Sequence, residues 1–88
     1  MEFIWYEYNK PMDGRFKWMI KINATSRSSG EQRVAQIAEV NDICADIISG
    51  LKHEYDFRGC DSSTFFNVYG VVHMSDRTDA LMVKLRYI

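Results

Sequence analysis

Two histidines and two cysteines hold most of the nucleophilic and soft-ligand capacity of the 88 residues. A cysteine becomes a good nucleophile only beside a base or in an electropositive setting. Cys60 with His53 or His73 would be the pairing to consider, because Cys44 falls within an apolar helical pattern. The spacing brings none of them together, and no local signature surrounds Cys60. Zinc asks for four nitrogen or sulfur ligands in a closed spacing, and Cys44, His53, Cys60 and His73 are scattered. Carboxylates pair at Asp42/Asp46 and at Asp76/Asp79. The first pair lies one helical turn apart on a polar face, without the burial that raises an acid's pKa. Ser28-Ser29-Gly30 lacks the flanking glycines and the lysine of a phosphate-binding loop. Arg27 and Arg33 near that helix start give only a weak anion signal. Trp5 and Trp18 read as packing residues. The expectation is therefore no catalytic residues, no metal, no cofactor and no enzyme activity.

The elements that would position these residues follow from periodicity. Residues 2–8 are aromatic-rich and β-prone, and Pro11 with Asp13-Gly14 marks a turn. Residues 15–24 alternate, with Phe16, Trp18, Ile20 and Ile22 on one side and Lys17, Met19, Lys21 and Asn23 on the other. Ser28 with Glu31, or Ser29 with Gln32, forms a capping box, so a helix starts near Ser29. Its apolar stripe runs through Val34, Ile37, Ala38, Val40, Asn41, Cys44, Ile47, Ile48 and Leu51, and it frays before Tyr55. Residues 56–63 read as a loop, 64–74 as a strand, 75–78 as a tight turn and 79–88 as an alternating strand. The predicted fold is α+β, in the order ββαββ: a four-stranded antiparallel sheet with one helix packed on one face. One domain spans residues 1–88, since the length leaves no room for a second.

Composition narrows the function classes. Hydrophobic residues make up 47% and aromatics 14% of the chain. That offsets the thin core of so short a domain, which buries only roughly 60–65% of its unfolded surface. Net charge is −1 and the pI about 6.1, which argues against bulk attraction to nucleic acid or to an anionic membrane. Two cysteines are too few for a secreted disulfide scaffold and point to free thiols in a reducing compartment. The start of the chain is strand-like, and no apolar run reaches membrane-spanning length, so a cytoplasmic location is expected.

One uncovered sheet face then becomes the main surface. It is predicted to show Lys17, Met19, Lys21, Phe65, Tyr69, His73, Met82, Lys84 and Arg86, basic residues interleaved with apolar ones. Glu39, Asp42 and Asp46 make the outer helix face acidic. Apolar patches of that size mark contacts. The expected activity is non-enzymatic protein binding, as a small inhibitor or regulator that blocks a partner's surface, for example that of a nucleic-acid-processing complex. A homodimer through the sheet is a second possible occupant of that face. The alternative is a single-stranded nucleic-acid module in which Tyr69 and Phe65 stack bases while Lys17, Lys21, Lys84 and Arg86 neutralise phosphates. In scale and in its lack of catalytic residues the chain is similar in type to small phage or mobile-element inhibitors, including anti-CRISPR proteins. That likeness is carried by no motif.

Overall fold

The computed structural model describes residues 1–25, 30–59 and 67–88. It is an α+β fold with a four-stranded antiparallel sheet, as the alternating segments predict. The elements are β1 (Glu2–Met12), β2 (Phe16–Thr25), α1 (Gly30–Ser49), β3 (Tyr55–Arg58), β4 (Asn67–Met74) and α2 (Arg77–Tyr87). The spatial order is β1-β2-β4-β3.

The β1–β2 hairpin closes through Asp13 and Gly14, both with positive φ (54° and 70°), and Arg15 N–H donates to the Met12 carbonyl at 3.1 Å. Positive φ at both central residues is the conformation that matches the twist of the flanking strands, and Asp-Gly adopts it at low cost. Pairing is regular from Glu2↔Asn23 to Glu7↔Trp18 and resumes at Met12↔Phe16. Residues 8–11 of β1 thus stand opposite Lys17 alone, a bulge that lets this stretch leave the sheet plane.

Residues 79–87 lie in the helix α2, not in the expected strand 79–88. Leu81, Val83, Leu85 and Tyr87 do alternate, but Ala80, Val83 and Tyr87 also recur at three and four. The side chain of Asp76 accepts from the N–H groups of Thr78 and Asp79 and so caps the helix, where a tight turn was expected. The composition, with Ala, Leu, Met, Lys and Arg, also favours helix over strand. The segment expected to be all loop, 56–63, contains three residues of the four-residue strand β3, in which Tyr55 and Phe57 alternate with Asp56 and Arg58. Among the described residues the order is therefore ββαββα, with two helices.

Both helices lie on the same sheet face. Ile20, Ile22 and Ala24 of β2 and Val68, Val72 and Met74 of β4 share one side by register. They form a single buried cluster with Val40, Cys44 and Ile47 of α1 and Ala80 and Val83 of α2. The α1 stripe is narrower than its periodicity suggests, because Val34 is exposed. Phe16 is buried but lies outside this cluster, beside His73. The capping pairs at Ser28 and Ser29 lie outside the described residues.

The strand directions give two interleaved split β-α-β units. Strands β2 and β3 run parallel with β4 between them and are joined by α1. Strands β4 and β1 run parallel with β2 between them, and α2 leaves β4 to finish beside β1. There the Tyr87 and Phe3 rings stack with centroids 5.7 Å apart. The second unit is thus closed in space across the two ends of the chain.

Candidate partner-binding surface

Helix α2 is fixed from its buried side. Asp79 is 4% exposed, and its carboxylate accepts from the backbone N–H of Lys52 and His53 at 3.0–3.3 Å. His53 Nδ1 lies 3.2 Å from the same carboxylate and 3.3 Å from Asp76. This His53-Asp76-Asp79 group, which the scattered sequence positions did not suggest, clamps the α1–β3 connection to the start of α2. Ala80 and Val83 enter the core. At the far end the Tyr87 hydroxyl donates to Asp46 of α1, and Arg86 Nη2 lies 3.0 Å from that carboxylate. Burial and the neighbouring Asp46 carboxylate push the Tyr87 phenol above its usual pKa.

So anchored, α2 turns its remaining apolar side chains outward. Leu81 is 48%, Met82 57%, Leu85 87% and Ile88 57% exposed. Leu81, Leu85 and Ile88 follow an i, i+4, i+7 stripe, the spacing of a helix–helix seam. Beside this stripe the helix stands off the hairpin and leaves a groove of about 390 Å³ lined by Trp5, Glu7, Lys17, Trp18, Arg77, Ala80, Leu81 and Lys84. Lys84 Nζ sits 5.8 Å from the Trp5 ring centroid and Lys17 Nζ 5.7 Å from that of Trp18. The groove is therefore aromatic at its floor and cationic at its rim. Its one carboxylate, Glu7, accepts from Trp18 Nε1 at 3.2 Å and lies 4.0 Å from Lys17.

The described residues expected on one platform are divided between α2 with its groove and the uncovered sheet face. Met82, Lys84 and Arg86 are on α2, on the helix-covered side of the molecule, because residues 79–88 are not a strand. Lys17 lines the groove beside them. Met19, Lys21 and Tyr69 do lie on the uncovered sheet face, where each is half-buried by cross-strand neighbours and Lys21 sits 4.9 Å over the Tyr69 ring. Glu39, Asp42 and Asp46 are exposed on α1 as the helical pattern predicts. Phe65 and Cys60 lie outside the described residues. Trp5 and Trp18 are packed against the core and also floor the groove. Their dual role was hidden because the second helix was missing from the sequence-based fold.

His73 was expected to be exposed but is 6% exposed. The bulged stretch of β1 brings Tyr8 across the uncovered face, where its hydroxyl hydrogen-bonds His73 Nε2 at 3.0 Å and the rings stack. Phe16 flanks the imidazole, and Asp56 Oδ2 lies 3.7 Å from Nδ1, beyond hydrogen-bond length. Burial lowers the His73 pKa below 6.5, with Asp56 and Asp13 opposing and Arg58 assisting. A base whose folded pKa is depressed is neutral in the native state. As pH falls below 6.5 the unfolded chain takes up the proton first, so stability is lost there and is constant above it. Denaturation midpoints of the wild type should therefore fall between pH about 7 and about 5 more steeply than those of His73→Phe. Parallel profiles would show that His73 is not held neutral.

Among the described residues no helix is long and apolar enough to cross a membrane. Comparison with protein-family models, with curated proteins and with solved structures finds no match.

Proposed function

We propose that the chain is a non-enzymatic protein-binding module of the small inhibitor type, which acts by covering a partner's surface with α2 and the adjoining groove. The observation that carries this reading is the exposed Leu81/Leu85/Ile88 stripe, with Met82 beside it, on a helix whose other side is firmly anchored. A rigid helix that presents apolar side chains loses little conformational entropy on binding. Contiguous exposed apolar area of this kind marks interaction sites. Among the described residues, His73 is tied to Tyr8, and Asp79 to the chain at Lys52 and His53. Cys44 is a thiol buried in the core, which fits a reducing, cytoplasmic setting. Components of a nucleic-acid-processing complex are the partner class in view.

The test is comparative capture from a cell lysate by the wild type and by Leu85→Glu. Leu85 is 87% exposed, so the variant should keep its circular dichroism spectrum and denaturation midpoint. A protein retained by the wild type should be lost by on the order of tenfold or more with the variant, as expected for a central apolar anchor. Equal retention by both would remove α2 from the binding surface.

The uncovered sheet face supports a second reading, single-stranded nucleic-acid binding. Tyr6, Tyr8 and Tyr69 lie on it with Lys21 and Arg58, the pairing of stacking rings and cations that such ligands use. Salt separates the two. Phosphate contacts weaken steeply as salt rises, whereas apolar docking on α2 changes little.

A further inference from the structure

From the groove's charge we infer that its occupant is an acidic amphipathic helix of another protein, an inference that rests on the protein-binding reading above. Three observations select this class. The first is shape. The stripe Leu81, Leu85 and Ile88 runs along an 11-residue helix and its C-cap, and the groove beside it carries the Trp5 and Trp18 rings. A partner helix of about three turns, some 16 Å long, matches that length, and its own i, i+3/i+4, i+7 anchors would meet the stripe and the indoles. The second is charge. Arg77 and Lys84 from α2 and Lys17 from β2 line the groove. Glu7 is already engaged by the Trp18 indole and lies near Lys17. A partner with Glu or Asp flanking its apolar anchors meets complementary charge, whereas a basic helix meets repulsion. The third is the mismatch with this chain's own surfaces. Among the described residues a second copy offers only α1 as an acidic helix, through Glu39, Asp42 and Asp46. Its exposed apolar side chains are Val34 and small alanines, and Asp46 is paired with Arg86. That is too little apolar volume to fill a groove of about 390 Å³. A second α2 would set Lys84 and Arg77 against their own copies.

The chain contains two tryptophans, and both line the groove, so their emission reports occupancy directly. The probes are two synthetic helical peptides about five turns long. They share one leucine stripe at i, i+3, i+4 and i+7, flanked by Glu in one and by Lys in the other. The Glu peptide is expected to shift the tryptophan emission saturably, and the Lys peptide to bind on the order of tenfold more weakly. Lys84→Glu should narrow or reverse that preference, and Lys17→Glu gives an independent second variant should the first not fold. Equal binding of the two peptides overturns the charge selection. No emission change with either overturns the helix as occupant, as does an emission that instead follows the protein's own concentration, which would put a second copy in the groove. Any of these outcomes, alongside lysate capture that still depends on Leu85, would leave the protein-binding reading standing and this inference refuted.

Discussion

Asp79→Ala is expected to lower the unfolding free energy by roughly 2–4 kcal/mol, out of a total of about 5–15 kcal/mol for a domain of this kind. Asp79 is a carboxylate at 4% exposure, where an unpaired charge would be strongly unfavourable. It is tolerated because the N–H groups of Lys52 and His53 point at it, and because it stands in the first turn of α2, where the helix dipole favours a negative charge. Removing the carboxylate also removes its desolvation cost, which offsets part of the loss. The offset is incomplete, since both backbone donors lose their acceptor while alanine supplies none. Hydrogen bonds to charged groups contribute about 1.5–3 kcal/mol each, so the deficit should exceed that of losing a single helix cap, about 1 kcal/mol. Asp76→Ala is the internal control for that cap. Urea denaturation should show a lower midpoint at an unchanged slope, and the thermal midpoint should fall by roughly 10–20 °C. A loss no larger than that of Asp76→Ala would show that the clamp between the α1–β3 connection and α2 contributes nothing beyond ordinary capping. Because the same clamp sets where α2 begins, partner binding should weaken in parallel with the melting of α2.

How much of this was legible in the sequence depended on whether a residue's local pattern had one solution. The β2 alternation and the Asp13-Gly14 turn did: positive φ at two successive residues suits few pairs other than Asp-Gly or Asn-Gly, and the hairpin formed where they predicted. Residues 79–88 had two solutions, since Leu81, Val83, Leu85 and Tyr87 satisfy period two while Ala80, Val83 and Tyr87 satisfy a helix. The deciding signal was Asp76, three residues before an acid, as an N-cap; it was assigned to a turn. That one substitution of strand for helix moved Met82, Lys84 and Arg86 from the sheet to α2. Their grouping did not survive, because residues two apart point to different sides of a helix: Lys84 turns toward Leu81 and the groove, while Met82 and Arg86 turn toward Asp46 of α1. The burial of His73 was not readable, because it depends on a bulge that carries Tyr8 over a strand it does not pair with, and no local pattern encodes that. The groove was equally hidden, since its floor, Trp5 and Trp18, and its α2 wall, from Arg77 on, lie at opposite ends of the chain.

Gly70 decides how closely α1 can approach the sheet. A Cβ placed there would lie 2.6 Å from Cys44 Sγ and 3.2 Å from Val40 Cγ1. Both neighbours are fully buried on α1 and have no free volume to retreat into. Gly70→Ala should therefore cost about 1–3 kcal/mol through overpacking, even though alanine in a strand is ordinarily better than glycine by about 0.5–1 kcal/mol. The steric term outweighs the backbone term, and the sign of the net effect should depend on Cys44. In a Cys44→Ala background the sulfur is gone, and the vacated volume can accept the new methyl group. There, Gly70→Ala should become neutral or stabilising, so the double variant should be more stable than the sum of the singles by about 1–2 kcal/mol. Urea denaturation of the four proteins in that cycle measures the coupling directly. Additivity within about 0.5 kcal/mol would mean that α1 yields to the extra methyl group by shifting as a body. The close contact would then be a consequence of where the helix rests, and the glycine would not be what sets it.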